Sequence, residues 1–250
     1  MRGAEIADPT SRRVALRSEV DSCRAPRPDH LSGQEGWTHS APLQTGLDVD
    51  AQAVNDAYDV LVAFRAAHAN ALVTANNGLR SMIRTARCEV EVSQRLKRLP
   101  TILEKPVREP TLPLSSMQDI GGCRAILNSV DEIRRVEQRI IRPRRQPISY
   151  SDYITTPRSS GYRGVHIVVS YAGRRIELQL RTRVMHEWAI TVERLSWRTR
   201  QNLKTDGDHP LQRLMSVISQ AMAIEEEGGV VTEEIVRSLA ILRAEAQPHL

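Results

Sequence analysis

The chain has 250 residues, enough for one sizeable domain or two small ones, and its 40% hydrophobic and 26% charged residues are the balance of an ordinary water-soluble fold. A net charge of +5 leans toward anionic partners such as nucleotide phosphates or RNA without choosing between them. Three scattered cysteines (Cys23, Cys88, Cys123) argue against a disulfide framework or a C-x-x-C zinc site, and the lack of a signal-peptide pattern or membrane-length apolar run points to a cytoplasmic protein.

Residues 1–46, rich in Pro and Gly (Pro9, Pro26, Pro28, Gly33, Gly36, Pro42, Gly46), read as a disordered or loosely docked tail. Regular structure is expected from Asp48, a candidate N-cap, because Val49, Ala53, Ala57, Val60, Leu61 and Phe64 recur at helical spacing. Asn76-Asn77-Gly78 is expected to interrupt that run, with a second helix from Leu79 to about Cys88. The alternation of Glu89 to Lys97 predicts a strand with Arg95 and Lys97 on its polar face. Pro100 and Thr101 open a short helix that Pro106 is expected to end.

After a Gly121-Gly122 turn, Cys123 to Leu127 read as a buried strand, Asp131 caps a helix reaching about Ile141, and Ile148 to Ile154 form another strand. Tyr162–Tyr171 and Arg174–Thr182 predict a hairpin turning at Ala172-Gly173. Helices follow near Val184–Arg198, Pro210–Glu226 and Thr232–Ala246. The sum is an α/β domain with a mixed, about five-stranded sheet flanked by helices on both sides. It spans 47–205, and C-terminal helices over 206–250 pack on it or mediate assembly, core packing being favoured.

Neither G-x-x-x-x-G-K-[ST] nor G-x-G-x-x-G occurs, and His186-Glu187 fails as H-E-x-x-H because position 190 is Ile. Side chains must therefore handle any phosphates. Arg95, Lys97, Lys105 and Arg108, with Thr101 among them, could cradle a triphosphate or be a solvated basic face. Asp119, just before a glycine pair and a buried strand, is placed like a carboxylate that holds Mg²⁺, or like a turn cap. The loop from Arg158 to His166 carries Tyr162, an aromatic expected to be exposed and able to stack on a base. Ile176 to Thr182 alternate strictly, so Glu177, Gln179 and Arg181 share one face, which is costly unless used or open to solvent. Arg134, Arg135, Arg139, Arg142, Arg144 and Arg145 are dense enough to meet an RNA backbone, though Glu132 and Glu137 intersperse them.

In order, R-x-K with a following Thr, Lys and Arg, then D-I-G-G-x-R, P-R-S-S-G-Y-R-G-V-H and I-E-L-Q-L-R-T-x-x-M-H-E-W-A resemble the synthetase domain of the RelA/SpoT family over about residues 50–200. The resemblance implies a nucleotidyltransferase-like sheet and a pyrophosphokinase that moves the β,γ-pyrophosphate of ATP to the 3′-hydroxyl of GDP or GTP, giving an alarmone. The hydrolase and regulatory regions of that family are not seen, so the chain is similar to a small, synthetase-only member. A toxin-like branch, which modifies the 3′ end of tRNA or makes adenosine alarmones and can be paired with a protein antitoxin, is the alternative acceptor reading. A catalytically silent nucleotide-binding module is the alternative of another class.

The resemblance assigns ATP binding to Arg95, Lys97, Thr101, Lys105, Arg108 and Arg124, the last packing on adenine. It assigns Mg²⁺ to Asp119 and Glu177, with Glu177 also helping to deprotonate the attacking hydroxyl. Arg158, Tyr162, His166, Gln179 and His186 fall on the acceptor side, Tyr162 stacking on the acceptor base. The implied partners are ATP and GDP/GTP, with tRNA, an antitoxin or a second copy of the chain as further ones. Departures from the family are Thr101 in place of serine, Pro106 inside the helix, and Arg158 in place of lysine. The M-H-E-W-A-x-x-V-E segment resembles the toxin-like branch more closely.

Overall fold

A computed structural model describes residues 51–108, 113–142, 146–204 and 207–249. The N-terminal tail, the Asp48 cap and the Arg144-Arg145 pair lie outside these residues. Five strands form one sheet: β1 Glu91–Leu96, β2 Gly121–Leu127, β3 Ser149–Asp152, β4 Val165–Tyr171 and β5 Arg174–Thr182. Their order is β1-β2-β5-β4-β3, with β2 and β5 parallel and every other pair antiparallel. The helices are α1 Ala51–Ala66, α2 Ala69–Thr85, α3 Leu99–Arg108, α4 Val130–Ile140, α5 Arg183–Thr199, α6 Pro210–Glu226 and α7 Glu233–Ala246. No helix among the described residues is long and apolar enough to cross a membrane.

The period of two in β5 decides which face is core. Ile176, Leu178 and Leu180 are fully buried and lie beside Cys123 and Ala125 of β2 and Val165, Ile167 and Val169 of β4. Leu72, Leu79 and Ile83 of α2, with Ile133, Val136 and Ile140 of α4, cover that face. Each such side chain contributes roughly 1.5–3 kcal/mol on burial, which pins the register, since a slip by one residue would bury Glu177 and Gln179 instead. The hairpin turns at Ala172 (φ 47°) and Gly173 (φ 72°), a left-handed pair suited to a two-residue loop. A small cluster of Leu61, Ile102, Met117 and Ile120 ties α1 and α3 to the start of β2. A separate core of Trp188, Val192, Leu195, Leu214, Met215 and Ile218 joins α5 to the C-terminal helices.

Four local expectations are corrected. The break between the first two helices falls at Ala67-His68, and Asn76-Asn77-Gly78 lies inside α2. Gly78 is there for contact: a Cβ would stand 3.0 Å from the Tyr171 hydroxyl. Pro106 does not end α3, which runs to Arg108; near a helix end proline forfeits few backbone bonds while its fixed φ remains helical. Gly121 and Gly122 are the first residues of β2, and Gly121 lets Ile176 pack close, since a Cβ there would be 2.7 Å from its Cδ1. Ser129, not Asp131, caps α4, its hydroxyl accepting from the Glu132 N–H.

Candidate active site

The sheet face opposite the core is built of polar rows that the register lines up. Arg95, Gly122 and Glu177 lie side by side on β1, β2 and β5. One step along, Ser93, Arg124, Gln179, His166 and Ser151 form a row across all five strands. Glu177, Gln179 and His166 are half-buried, and this face floors a cleft of about 510 Å³. Lys105 reaches the cleft from α3, Asp119 from the residues entering β2, and Arg158 from the loop before β4.

Asp119 is clasped by two ammonium groups. Lys97 Nζ donates to Oδ2 in a short contact, and Lys105 Nζ donates to Oδ1 at 3.3 Å. Burial alone would raise its carboxyl, but the two lysines outweigh that and hold it below the ordinary carboxylate range. Lys97 is itself placed by backbone bonds: its N–H donates to the Ile120 carbonyl at 2.8 Å, and its own carbonyl accepts from Arg65 Nε at 2.7 Å.

Glu177 sits in a closed ring of hydrogen bonds. His166 Nδ1 donates to its Oε1 at 2.8 Å, and Gln179 Nε2 donates to its Oε2 at 2.7 Å. Gln179 Oε1 in turn accepts from Arg181 Nη2 at 3.1 Å and from Arg124 Nε at 3.3 Å. Arg181 Nε donates to the Tyr162 hydroxyl at 3.1 Å, and that hydroxyl meets His166 Nε2, closing the ring. With Nδ1 directed at Glu177, Nε2 of His166 faces the tyrosine hydroxyl. Burial would push the Glu177 carboxyl up, but the bonds from His166 and Gln179 outweigh it, so the carboxylate stays ionised at neutral pH. Burial holds the Tyr162 hydroxyl protonated.

The sequence-derived residues divide as follows. Arg95, Lys105, Asp119, Arg124, Arg158, His166, Glu177 and Gln179 all line the cleft. Lys97 joins it through Asp119. Thr101 is half-buried on α3 and does not line it, and the Arg108 side chain lies outside the described residues. Tyr162 is half-buried rather than exposed: its edge meets Tyr153 at 5.7 Å between ring centres, and the Arg181 guanidinium stands 4.9 Å from its ring. His186 lies above the Arg124–Arg181 end of the face, its Nδ1 buried without a hydrogen-bond partner among the described residues. Burial first, then the two arginines, pull its imidazole down to about 4.

Two residues were not singled out as site residues by sequence reasoning. Arg181 was visible as the next polar position after Gln179, and it holds the ring together. Tyr153 gave no signal, yet Arg158 lies 4.5 Å over its ring and donates to its hydroxyl at 2.7 Å, forming one wall beside the cleft.

No three or more His, Cys, Asp or Glu side chains among the described residues cluster closely enough to hold a metal by themselves. Asp119 and Glu177 face one cleft, and two carboxylates suit a hard cation whose remaining ligands are phosphate oxygens and water. All four of their oxygens accept from Lys97, Lys105, His166 and Gln179, so a cation held there would share or replace those donors.

Residues 94–202 match the pattern described as a region found in RelA / SpoT proteins. The chain is 31% identical over 160 residues to the GTP pyrophosphokinase YjbM of Bacillus subtilis, covering 60% of this chain and 74% of that protein. It is 34% identical over 105 residues to a guanosine-3′,5′-bis(diphosphate) 3′-pyrophosphohydrolase of Aquifex aeolicus, covering 40% of this chain but only 15% of that longer protein. The crystal structure of small alarmone synthetase 1 from Bacillus subtilis bound to its product pppGpp superposes with a TM-score of 0.54 at 27% identity, over 74% of this chain and 99% of that one.

Proposed function

The chain belongs to the RelA/SpoT family, and on that premise we propose that it transfers the β,γ-pyrophosphate of ATP to the 3′-hydroxyl of a guanine nucleotide. The observation that carries the reading is the pairing of Glu177, held ionised on β5, with Asp119, clasped by Lys97 and Lys105, in one cation-rimmed cleft. In this reaction the acceptor oxygen bonds to the β-phosphorus of ATP, the α–β bridging bond breaks, and AMP leaves. Such a transfer needs charge neutralisation and in-line placement more than covalent help.

The roles are those that the resemblance implies, and the lining of the cleft supports most of them. Arg95, Lys105 and Lys97 neutralise the triphosphate, with Thr101 and Arg108 assigned beside them on α3. Arg124 packs on the adenine. Arg158, Tyr162, His166, Gln179 and His186 form the acceptor side, with Tyr162 under the acceptor base once the Tyr153–Arg158 wall admits it. Glu177 receives the hydroxyl proton as the new O–P bond forms, and His166 and Gln179 hold its two oxygens in place. Asp119 and Glu177 would hold Mg²⁺, which would supply charge neutralisation at the phosphates.

Incubating the purified chain with γ-labelled ATP and Mg²⁺, offering GDP, GTP, ADP and bulk tRNA separately, tests the acceptor. Label on a guanine nucleotide supports the proposal, and label on ADP or tRNA would move the chain to the toxin-like reading. Label on none, with ATP bound and the protein folded, would favour a silent nucleotide-binding module.

A further inference from the structure

We infer that α6 is a clamp on the acceptor loop, with Arg163 and Glu226 as the positioning pair that sets how tightly the guanine nucleotide is held. The inference rests on the acceptor-side reading of residues 158–166 given above. Helix α6 contributes nothing to the cleft itself, yet it grips this loop at several points.

The loop leaves β3, carries Arg158 to the cleft and Tyr162 to the hydrogen-bonded ring, and enters β4 one residue before His166. Ser219 Oγ donates to the Gly161 carbonyl at 2.6 Å, and Ser216 Oγ donates to the Ser159 carbonyl at 3.2 Å. Gly161 has φ of +87°, and a Cβ there would stand 2.7 Å from Ser216 Cα, so loop and helix backbones are in direct contact. Two residues on, Arg163 (5% exposed) pairs with Glu226 (9% exposed) at 3.2 Å, at the last turn of α6. Helix α6 is anchored in turn, because Trp188 Nε1 of α5 donates to the Met215 carbonyl at 2.8 Å.

A buried ion pair is a poor source of net stability, since desolvation offsets most of the attraction. What it does supply is direction: the Arg163 side chain must leave the loop toward α6, so Arg158 and Tyr162 on the same segment are held in register with Glu177. Simple core packing would leave the substrates' kinetics untouched or damage both alike. A clamp on the acceptor loop changes the acceptor side most, because Arg95, Lys105 and Asp119 reach the cleft from elements that α6 does not grip, and Arg124 meets the loop at one remove, through Gln179 and Arg181.

The test uses the full chain with Glu226→Ala, Glu226→Gln and Ser219→Ala, measuring KM for the guanine nucleotide, KM for ATP, kcat and the thermal midpoint. Glu226→Ala is expected to raise the acceptor KM about tenfold while the ATP KM stays within about twofold. Glu226→Gln, which keeps an oxygen facing Arg163, restores most of the acceptor KM, and Ser219→Ala raises it severalfold. Equal rises in both KM values, or a lowered melting point with both KM values unchanged, would overturn the clamp. If Glu226→Ala does not fold, Ser219→Ala decides alone, and an unchanged acceptor KM there overturns it. Wild-type chain that transfers pyrophosphate to no guanine nucleotide would instead remove the parent reading, and the clamp with it.

Discussion

Glu177 keeps both oxygens occupied by donors on its own face of the sheet, and that is what keeps it ionised despite burial. Replacing it with glutamine keeps the shape and removes the base, so turnover with labelled ATP should fall about 10²–10⁴-fold with little change in melting temperature. A rate within a few-fold of wild type would deny it the proton-accepting role. Chelation with EDTA should abolish transfer while leaving the melting temperature nearly unchanged, because the lysines already neutralise Asp119 in the fold. His186 carries a pH signature. Its folded pKa, about 4, lies below the ordinary imidazole value of 6.5, so between these values the unfolded chain binds more protons and stability falls as pH falls. His68, also depressed by burial, acts with the same sign, while Asp119 and Glu177 act at lower pH as their carboxylates protonate. Melting temperatures of wild type and His186→Gln should therefore converge between pH 6.5 and about 4.5, with the wild type showing the steeper fall. Parallel curves would mean that His186 is not held neutral by the fold.

At the scale of elements, amphipathic periodicity placed β5 and α6 well, because each buries a continuous stripe whose period of 2 or 3.6 is a local property. Turn chemistry was a poorer guide. Asn76-Asn77-Gly78 looks like a break, but packing of Gly78 on Tyr171 keeps it helical, and Tyr171 is almost a hundred residues away in sequence. The cap of α4 has a direct test: Ser129→Ala should cost about 1 kcal/mol in urea unfolding, and Asp131→Ala only a few tenths. The reverse order would show that the Ser129 hydroxyl bond to the Glu132 N–H is not what starts the helix. Gly161→Ala combines a left-handed backbone with a clash against the backbone of α6, and should destabilise by about 2–3 kcal/mol.

For the whole molecule, the C-terminal helices complete a second core rather than hang from the first. Trp188, Val192 and Leu195 of α5 are buried in one cluster with side chains of α6 and α7, together with Leu203 and Tyr162. Ending the chain before Pro210 should expose these side chains and give insoluble or unfolded protein, as read by expression and circular dichroism. A truncated chain that is folded and active would show instead that 206–250 is a dispensable addition. The arginine-rich stretch is less free than its sequence suggests: Arg134 pairs with Glu137 and Asp152, and Arg135 with Glu132. Those pairs spend part of the positive charge within the fold, which weakens the case for RNA backbone binding by this helix.

Sequence alone determined the strands and helices with strong periodicity, the polar face of β5, and the family, because these rest on local spacing and on motifs whose order survives in the linear chain. Only the tertiary structure decided what those residues do to one another. The parallel pairing of β2 with β5 brings Arg124 to Gln179, although they are 55 positions apart. Lys97 meets Asp119 through the joining of β1 to β2, and Glu177 meets His166 through the β4–β5 hairpin. The hydrogen-bonded ring, the half-burial of Tyr162 and the grip of α6 on the acceptor loop all come from contacts between distant segments, and local sequence carries no record of which distant partner a side chain will meet.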